Sequence, residues 1–253
     1  MKTLYRKLPK GLRDIIRKSY NTIKNYTATD IPTEEVDIFS NIKDELNVVF
    51  DIGARMDLDF YKVKPDCIYH LFEPNKNFVK KLKKNIAKLP NHKIILNEFG
   101  LADIEADNCV YYADTQSFVV NPVVGSTDLG DRYSLKRLDD YVERNKIDYI
   151  DFLKIDAEGM DYKIIQGGIN TVQNKVKYIQ FEYWDGIQKF LPLLENFNLS
   201  LMIEPRLRKA IKSFTNDTKY DSSTVPLTQD VIDLIDNKLI PGGSGGNIFG
   251  VRV

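Results

Sequence analysis

The sequence Asn47-Val-Val-Phe-Asp-Ile-Gly53 is a short apolar run that ends in a glycine. Such a run is typical of a buried strand, and the glycine indicates a tight turn directly after it. Similar runs recur at residues 67–74, 92–101, 109–112, 149–156, 177–184, 199–203 and 247–252. Because most of them are separated by stretches with helical periodicity, the pattern predicts an α/β fold with a doubly wound, mostly parallel sheet.

The predicted helices lie at residues 33–46, 75–89, 135–145 and 159–168. We expect residues 1–46 to form an N-terminal helical extension and residues 47–253 to form one domain, because the sequence shows no second apolar core. Two long polar segments, 114–134 and 207–227, interrupt the alternation. Connections of this length are either functional loops or mobile surface excursions, and both interpretations stay open.

The composition excludes several classes of protein. The 253 residues carry 36 basic and 36 acidic side chains, a balance that argues against a general nucleic-acid binder. No apolar run has the length of about 18 residues that marks a membrane-spanning helix. Two cysteines, Cys67 and Cys109, do not make a disulfide framework, so we expect buried thiols and a cytoplasmic location. With only two histidines, a metal site built from several histidines is not expected, and we predict a site without metal; a divalent metal held by acidic side chains stays open as the alternative.

The first 25 residues form the one strongly basic segment, with eight Lys or Arg against a single acid. Apolar residues recur in it at helical spacing. A helix that touches anionic lipid and a helix that packs on the domain are both consistent with this pattern. Peripheral membrane contact through this segment stays open, as does a homodimer.

Residues with ligand-binding side chains follow the predicted strands. In an open parallel sheet, ligands bind outside the carboxyl ends of the strands, where the strand order reverses. The residues at those ends are Asp51, Gly53, Glu73, Asp103, Asp156, Glu158 and Glu182. Buried carboxylates that lie close together repel each other and lose solvation, so this row of acids predicts a ligand that is cationic or rich in hydroxyl groups.

The turn after the first strand bears on the choice of cofactor. A dinucleotide-binding turn has the pattern Gly-x-Gly-x-x-Gly, whereas this chain has Asp51-Ile-Gly-Ala-Arg-Met-Asp-Leu-Asp59, with one glycine and three acids. Acids repel a pyrophosphate, which disfavours a nicotinamide oxidoreductase. S-adenosylmethionine has no phosphate, and its sulfonium and ammonium groups attract acids. Glu73 suits the two hydroxyls of an adenosine ribose, with capping of the next helix as the alternative.

Four motifs carry a resemblance to a known family. They are Val48-Val-Phe-Asp-Ile-Gly-Ala54, Phe72-Glu-Pro74, Phe152-Leu-Lys-Ile-Asp-Ala-Glu-Gly159 with Asp161 and Gly167-Gly168, and Ile179-Gln-Phe-Glu-Tyr183. Together they resemble the FkbM family of S-adenosylmethionine-dependent methyltransferases, over about residues 45–185. The resemblance implies a Rossmann-like class I methyltransferase fold with an antiparallel last strand.

The same resemblance implies an enzyme that methylates a sugar hydroxyl, with S-adenosyl-L-methionine as cofactor and S-adenosyl-L-homocysteine as product. The expected substrate is a sugar or nucleotide-activated sugar, such as a GDP-heptose, in capsular or extracellular polysaccharide biosynthesis. A lipid or natural-product hydroxyl stays open as acceptor. A non-catalytic subunit that binds the cofactor or serves as a scaffold also stays open.

One loop departs from the family pattern. The family usually continues Gly-Ala-Asn-x-Gly, whereas this chain has Gly53-Ala-Arg-Met-Asp57. The second glycine of that pattern lets the backbone approach the methionine end of the cofactor. We interpret the segment as a variant loop that still binds, and a pocket that no longer binds is the alternative.

The candidate cofactor-binding residues are Asp51, Gly53, Arg55, Glu73, Asp103 and Asp156. Alternation along the fourth strand puts Lys154 and Asp156 on one face. Asp156 would then reach the cleft and hold either the methionine ammonium or the acceptor hydroxyl.

The candidate catalytic residues are Asp156, Glu158 and Glu182. Glu158 is the candidate general base or substrate anchor, with a carboxylate at the next helix N-terminus as the alternative. Glu182 would bind sugar hydroxyls while Tyr183 and Trp184 stack on the sugar ring. The alternative for Glu182 is an ordinary surface acid.

Overall fold

The computed structural model describes residues 34–112, 117–119, 132–184, 186–203, 224–236 and 246–253. The basic segment 1–25 lies outside the described residues, as do most of segments 114–134 and 207–227. The predictions made for these segments therefore stay predictions.

The strands are, in chain order, β1 (Val48–Ile52), β2 (Ile68–Phe72), β3 (Ile94–Asn97), β4 (Gly100–Leu101), β5 (Ala106–Tyr112), β6 (Ser117–Val119), β7 (Arg132–Lys136), β8 (Ile150–Ile155), β9 (Val176–Tyr183), β10 (Phe197–Met202), β11 (Thr224–Pro226) and β12 (Gly246–Arg252). The α-helices are α1 (Glu34–Ile42), α2 (Asp59–Val63), α3 (Lys76–Ile86), α4 (Leu138–Arg144), α5 (Asp161–Gly167), α6 (Ile169–Lys175) and α7 (Gln229–Asp236). Short 3-10 helices occupy Lys43–Glu45 and Leu191–Leu193.

Eight strands form the main sheet, in the order β11-β10-β12-β9-β8-β1-β2-β3. Strands β3, β2, β1, β8 and β9 are parallel, whereas β12 runs antiparallel between β9 and β10. The chain begins in the middle at β1, moves outward to β3 and returns on the other side of β1 at β8. This confirms the predicted doubly wound, mostly parallel sheet with an antiparallel last strand, and the reversal opens a cleft between β1 and β8.

Apolar side chains are buried on both faces of the main sheet. One face buries Phe50, Phe72 and Leu153, and the other buries Val49 and Phe152. Helix α1 joins the second cluster through Phe39, which is fully buried with its ring centroid 5.2 Å from that of Phe152. Full burial of such a side chain stabilises the fold by about 1.5–3 kcal/mol.

Cys67 and Cys109 are buried free thiols, as predicted. In the part of the chain that the structure describes, none of the helices has the length and apolarity needed to cross a bilayer.

Helix α3 begins at a specific capping interaction. The side chain of Asn75 accepts hydrogen bonds from the backbone N–H groups of Asn77 and Phe78, which satisfies two of the donors that a helix N-terminus leaves unpaired. Val79, Leu82 and Ile86 bury the apolar side of the helix. This capping fixes the first turn of α3 at the carboxyl end of β2.

Several local predictions are wrong. Residues 92–101 do not form one strand, because β3 ends at Asn97 and β4 belongs to a second sheet of order β4-β7-β5-β6. This second sheet was not foreseen. A Cβ atom at Gly100 of β4 would lie 2.9 Å from the end of the Leu135 side chain, which would have to shift to make room for it.

The predicted helix 135–145 is also wrong at its start. Strand β7 alternates buried Tyr133 and Leu135 with more exposed residues, which is the period of a strand. Helix α4 then begins at Leu138. Helix α6 was not predicted, and it begins immediately after Gly168, where the preceding helix was expected to end.

Candidate functional site

A cavity opens at the carboxyl ends of β1, β2 and β8, where the strand order reverses. It contains about 1000 Å³ of space, including open solvent at its mouth. Its apolar walls include Ile52, Phe72, Leu101, Leu135, Met160 and Ile164. Its polar or charged lining includes Arg55, Glu73, Asn75, Asp156 and Glu158. A largely apolar cavity with a few converging polar groups is typical of a small-molecule site.

Gly53 brings the loop after β1 against the loop after β8. Its φ is +80°, and a Cβ atom built on it would lie 1.9 Å from the backbone oxygen of Asp156. No other residue type has room at this position, and L side chains rarely adopt that φ. The close backbone contact fixes the floor of the cavity.

Glu73 follows β2 and is only 4% exposed. Its Oε2 accepts the backbone N–H of Arg55 at 2.8 Å, and its Oε1 accepts that of Asn75 at 2.7 Å. Burial raises the pKa of this carboxyl to about 7, although both N–H groups and Arg55 counteract the rise. Because Asn75 caps helix α3 through its own side chain, and because Glu73 lines the cavity, the geometry favours ligand binding over helix capping.

Arg55 stands where the family usually has asparagine, and its backbone has an unusual conformation. Its φ is +52°, the left-handed region that asparagine tolerates better than arginine. The guanidinium lies 3.6 Å from Glu158 Oε1 and 5.8 Å from the Phe78 ring centroid. The side chain thus lies across the cavity lining, half exposed, between α3 and the loop after β8.

Lys154 organises the acids at the centre of the sheet. Its Nζ lies 3.2 Å from Asp51 Oδ1 and 3.5 Å from Asp156 Oδ2, and it donates to the Gly53 carbonyl at 3.4 Å. Burial opposes the charge on Lys154, but the surrounding carboxylates outweigh it, so the pKa of this amine is raised. Lys154 and Asp156 therefore share one face of the strand, as predicted. Asp51 pairs with Lys154 but does not line the cavity.

Glu182 lies near Asp156, Glu158 and Asp161 at the carboxyl end of β9. Burial, together with the charges of those three acids, raises the pKa of its carboxyl to about 8. A hydrogen bond with the Trp184 side chain acts in the opposite direction. Glu182 is half-buried and electrostatically coupled to the other acids, so the alternative of an ordinary surface acid does not fit.

The predicted residues divide into three groups. Gly53, Arg55, Glu73, Asp156 and Glu158 line the cavity. Asp51 and Glu182 lie beside it, held by the contacts described above. Asp103 is not part of the lining, because the chain turns after Leu101 and packs its backbone closely against Gly167 of α5.

Two details of the sequence-based prediction are corrected. Tyr183 is 3% exposed, so it cannot stack on a ligand, whereas Trp184 is 39% exposed and can. Glu158 precedes α5 by three residues and has a φ of +50°, so it is not a first-turn carboxylate of that helix.

The sequence reasoning missed several residues of the site. Phe78, Tyr133 and Met160 line the cavity, and Asp161 contacts Glu182. Only Asp161 carried a visible signal, as the acid that follows the motif ending at Gly159. Among the described residues, no three His, Cys, Asp or Glu side chains are grouped so that they could hold a metal ion.

Comparison with known proteins gives one family. Residues 37–200, more than half of the chain, match a family model described as the methyltransferase FkbM domain. No curated protein matches the chain.

Solved structures that are similar to the chain include a methyltransferase FkbM from Methylobacillus flagellatus KT, with 14% identity and a TM-score of 0.40. That match covers 81% of this chain and 54% of the other, so the chain spans about half the length of that protein. An rRNA methylase from Streptococcus thermophilus has 10% identity and a TM-score of 0.45, with 89% and 99% covered. An O-methyltransferase of a trans-AT PKS multienzyme from Brevibacillus brevis, in complex with S-adenosyl-L-homocysteine, has 12% identity and a TM-score of 0.42, with 97% and 80% covered.

Proposed function

Because the chain belongs to the FkbM methyltransferase family, we propose that it transfers the methyl group of S-adenosylmethionine to a hydroxyl group of a sugar. The acceptor that we propose is a nucleotide-activated sugar, such as a GDP-heptose. The reaction would serve capsular or extracellular polysaccharide biosynthesis, in the cytoplasm.

The residues around the cavity fit the adenosyl part of the cofactor. Each Glu73 oxygen accepts one backbone N–H and keeps a lone pair for a ribose hydroxyl. Apolar walls such as Phe72 and Leu101 suit an adenine ring, and Asp156 would hold the ammonium of the methionine part. When bound, S-adenosylmethionine supplies an electrophilic methyl group on a positively charged sulfur.

The observation that carries the proposal is the carboxyl group of Glu182. A hydroxyl is a weak nucleophile, and its proton must leave when the oxygen is methylated. A general base works best when its pKa lies near the working pH, and burial among other acids raises the pKa of Glu182 to about 8. Glu182 therefore suits the role of general base, with Asp156 orienting the acceptor hydroxyl or the cofactor.

A sugar acceptor is supported by the surroundings of Glu182. Several carboxylates converge there, and each can accept hydrogen bonds from hydroxyl groups. The exposed Trp184 ring offers a flat apolar face beside them, against which a sugar ring can stack.

A second candidate is a subunit that binds the cofactor without catalysis, which the substituted loop at Arg55 and Asp57 favours. Calorimetric titration with S-adenosylhomocysteine, with NAD as the control, tests the pocket first. We expect micromolar binding of S-adenosylhomocysteine and none of NAD. No binding would contradict the proposed cofactor site.

Turnover separates the two candidates. The protein is incubated with S-adenosylmethionine and a panel of nucleotide sugars, and release of S-adenosylhomocysteine is measured. We expect turnover with at least one sugar, and its loss in Glu182→Gln and Asp156→Ala with the fold intact by circular dichroism. Binding without turnover on the whole panel, unchanged when Arg55→Asn and Asp57→Gly restore the family pattern, would contradict the proposed sugar methylation.

A further inference from the structure

Asp161 is a buried acid that has no part in the proposed methyl transfer described above. It is the first residue of α5 and is 1% exposed. It does not line the cavity, yet it follows the loop that carries Asp156 and Glu158. Its burial next to Glu182 calls for an explanation, because an acid is almost never fully buried unless it is paired.

The two oxygens of Asp161 have different surroundings. Oδ1 accepts the backbone N–H of Glu182 at 3.2 Å. The carboxyl also accepts hydrogen bonds from the backbone of Ala157 and from the backbone of Asp161 itself. Oδ2 is buried and has no hydrogen-bond partner among the described residues. The carboxyl thus ties the loop after β8 to the end of β9, and its free oxygen favours a protonated state, because an unpaired buried charge is costly.

We propose that Asp161 is a positioning residue for Glu182: its Oδ1 holds the end of β9 in place through the Glu182 backbone N–H, and its buried charge is coupled to that of the Glu182 carboxyl, so that it determines when Glu182 can act as a base. This inference rests on the proposed function for its catalytic meaning. Its physical content, the coupling between two carboxyls, can be measured without any acceptor.

The electrostatics of the surroundings agree with this geometry. The charged groups that face Glu182 are Asp156 and Glu158 from the loop after β8 and Asp161 from α5. Burial, together with the charge of Asp156, raises the pKa of Asp161 to about 7. Arg55 pairs with Glu158 at 3.6 Å and Lys154 pairs with Asp156 at 3.5 Å, but no basic group forms an ion pair with Asp161 or Glu182 in the described residues. Two close carboxyls without a counter-charge do not ionise independently.

The test is a titration of Glu182 followed by NMR in protein labelled with ¹³C at the glutamate carboxyl carbons. The Glu182 signal is assigned by its loss in Glu182→Gln. In Asp161→Asn, which keeps an oxygen for the Glu182 N–H, we expect the titration midpoint of Glu182 to fall by about 1 unit or more. The matched control is Asp148→Asn, an exposed acid before β8 at the opposite end of that strand, which should leave the midpoint unchanged.

A reciprocal measurement covers the case in which Asp161→Asn does not fold. With ¹³C-aspartate labelling, the midpoint of Asp161 should fall in Glu182→Gln, because coupling between two sites is mutual. Unchanged midpoints in the variants that fold would overturn the inference.

Kinetics then separate this inference from the proposed function. Once an acceptor is found, the rise of kcat/KM with pH should move to lower pH in Asp161→Asn. A purely structural defect would lower the rate equally at every pH and would count against the inference. Full turnover in Glu182→Gln would refute the proposed base, while the measured coupling of the two carboxyls would be unaffected.

Discussion

Replacement of Gly53 by alanine tests whether the contact between the first loop and the loop after β8 builds the site. The new Cβ would lie 1.9 Å from the Asp156 carbonyl oxygen, far inside van der Waals contact, so one of the two loops must move. Alanine at φ +80° adds strain of about 1–3 kcal/mol, and the overpacking adds about 1–3 kcal/mol more. The expected loss in the free energy of unfolding is therefore about 2–6 kcal/mol.

Gly159 provides the matched control for this substitution. Its φ is +92°, but a Cβ atom there would meet nothing within 4 Å. Gly159→Ala should therefore show only the conformational strain, about 1–3 kcal/mol, and the difference between the variants isolates the loop contact. Both are compared by urea denaturation and by calorimetric titration with S-adenosylhomocysteine, for which Gly53→Ala should lose binding. Equal stability of the two variants, or normal binding by Gly53→Ala, would refute the argument.

Three further predictions concern the charged groups of the site. Glu73→Gln should weaken S-adenosylhomocysteine binding about 10- to 100-fold, because a charge-assisted hydrogen bond contributes about 1.5–3 kcal/mol. The control is Glu98→Gln, on the surface, which should leave binding unchanged. Equal affinities of the two variants in calorimetry would contradict the ribose contact. Lys154→Met should lower the free energy of unfolding by about 3–5 kcal/mol, since it leaves buried carboxylates without a counter-charge. A clearly smaller loss in urea denaturation would contradict this role of Lys154. The pKa values of Asp161 and Glu182 are raised to about 7 and 8, so the folded state holds these protons more tightly than the unfolded chain, and unfolding free energy should fall as the pH rises from 5 to 9. Urea denaturation at several pH values should show a shallower fall in Asp161→Asn, and an identical slope would count against the raised pKa.

The main sheet was predictable because its signals are local. The run at Val48–Ile52 and the motif from Phe152 to Gly159 each combine apolar burial with a glycine turn, and those features fix strand and turn wherever the partner strands lie. The second sheet was not predictable in the same way. Strand β4 has only two residues, and it packs against Leu135, which is distant in the sequence.

The positions of the acids in the site could be predicted from the sequence, but the chemical differences between them could not. Their positions after the strands follow from the alternation of strands and helices, so Glu73, Asp156 and Glu182 could be named from the sequence. Their differences depend on tertiary neighbours that no spacing reveals. Asp103 follows a strand as the others do, but the packing of its backbone against Gly167 takes it out of the lining.

The distribution of counter-charges gives the acids different chemical capacities. Asp156 lies 3.5 Å from the Lys154 ammonium, so its charge is supported even when the cavity is dry, and such a carboxylate suits a cationic group. Glu182 has no ion pair among the described residues, and burial among other acids raises the pKa of its carboxyl to about 8, which suits exchange of a proton with a neutral hydroxyl. The substituted loop lies on the side of the cavity that we assign to the cofactor. The Arg55 guanidinium pairs with Glu158, and the Arg55 backbone N–H donates to Glu73. We therefore expect the departure from the family pattern to affect cofactor affinity, and the end of β9 to determine the choice of acceptor.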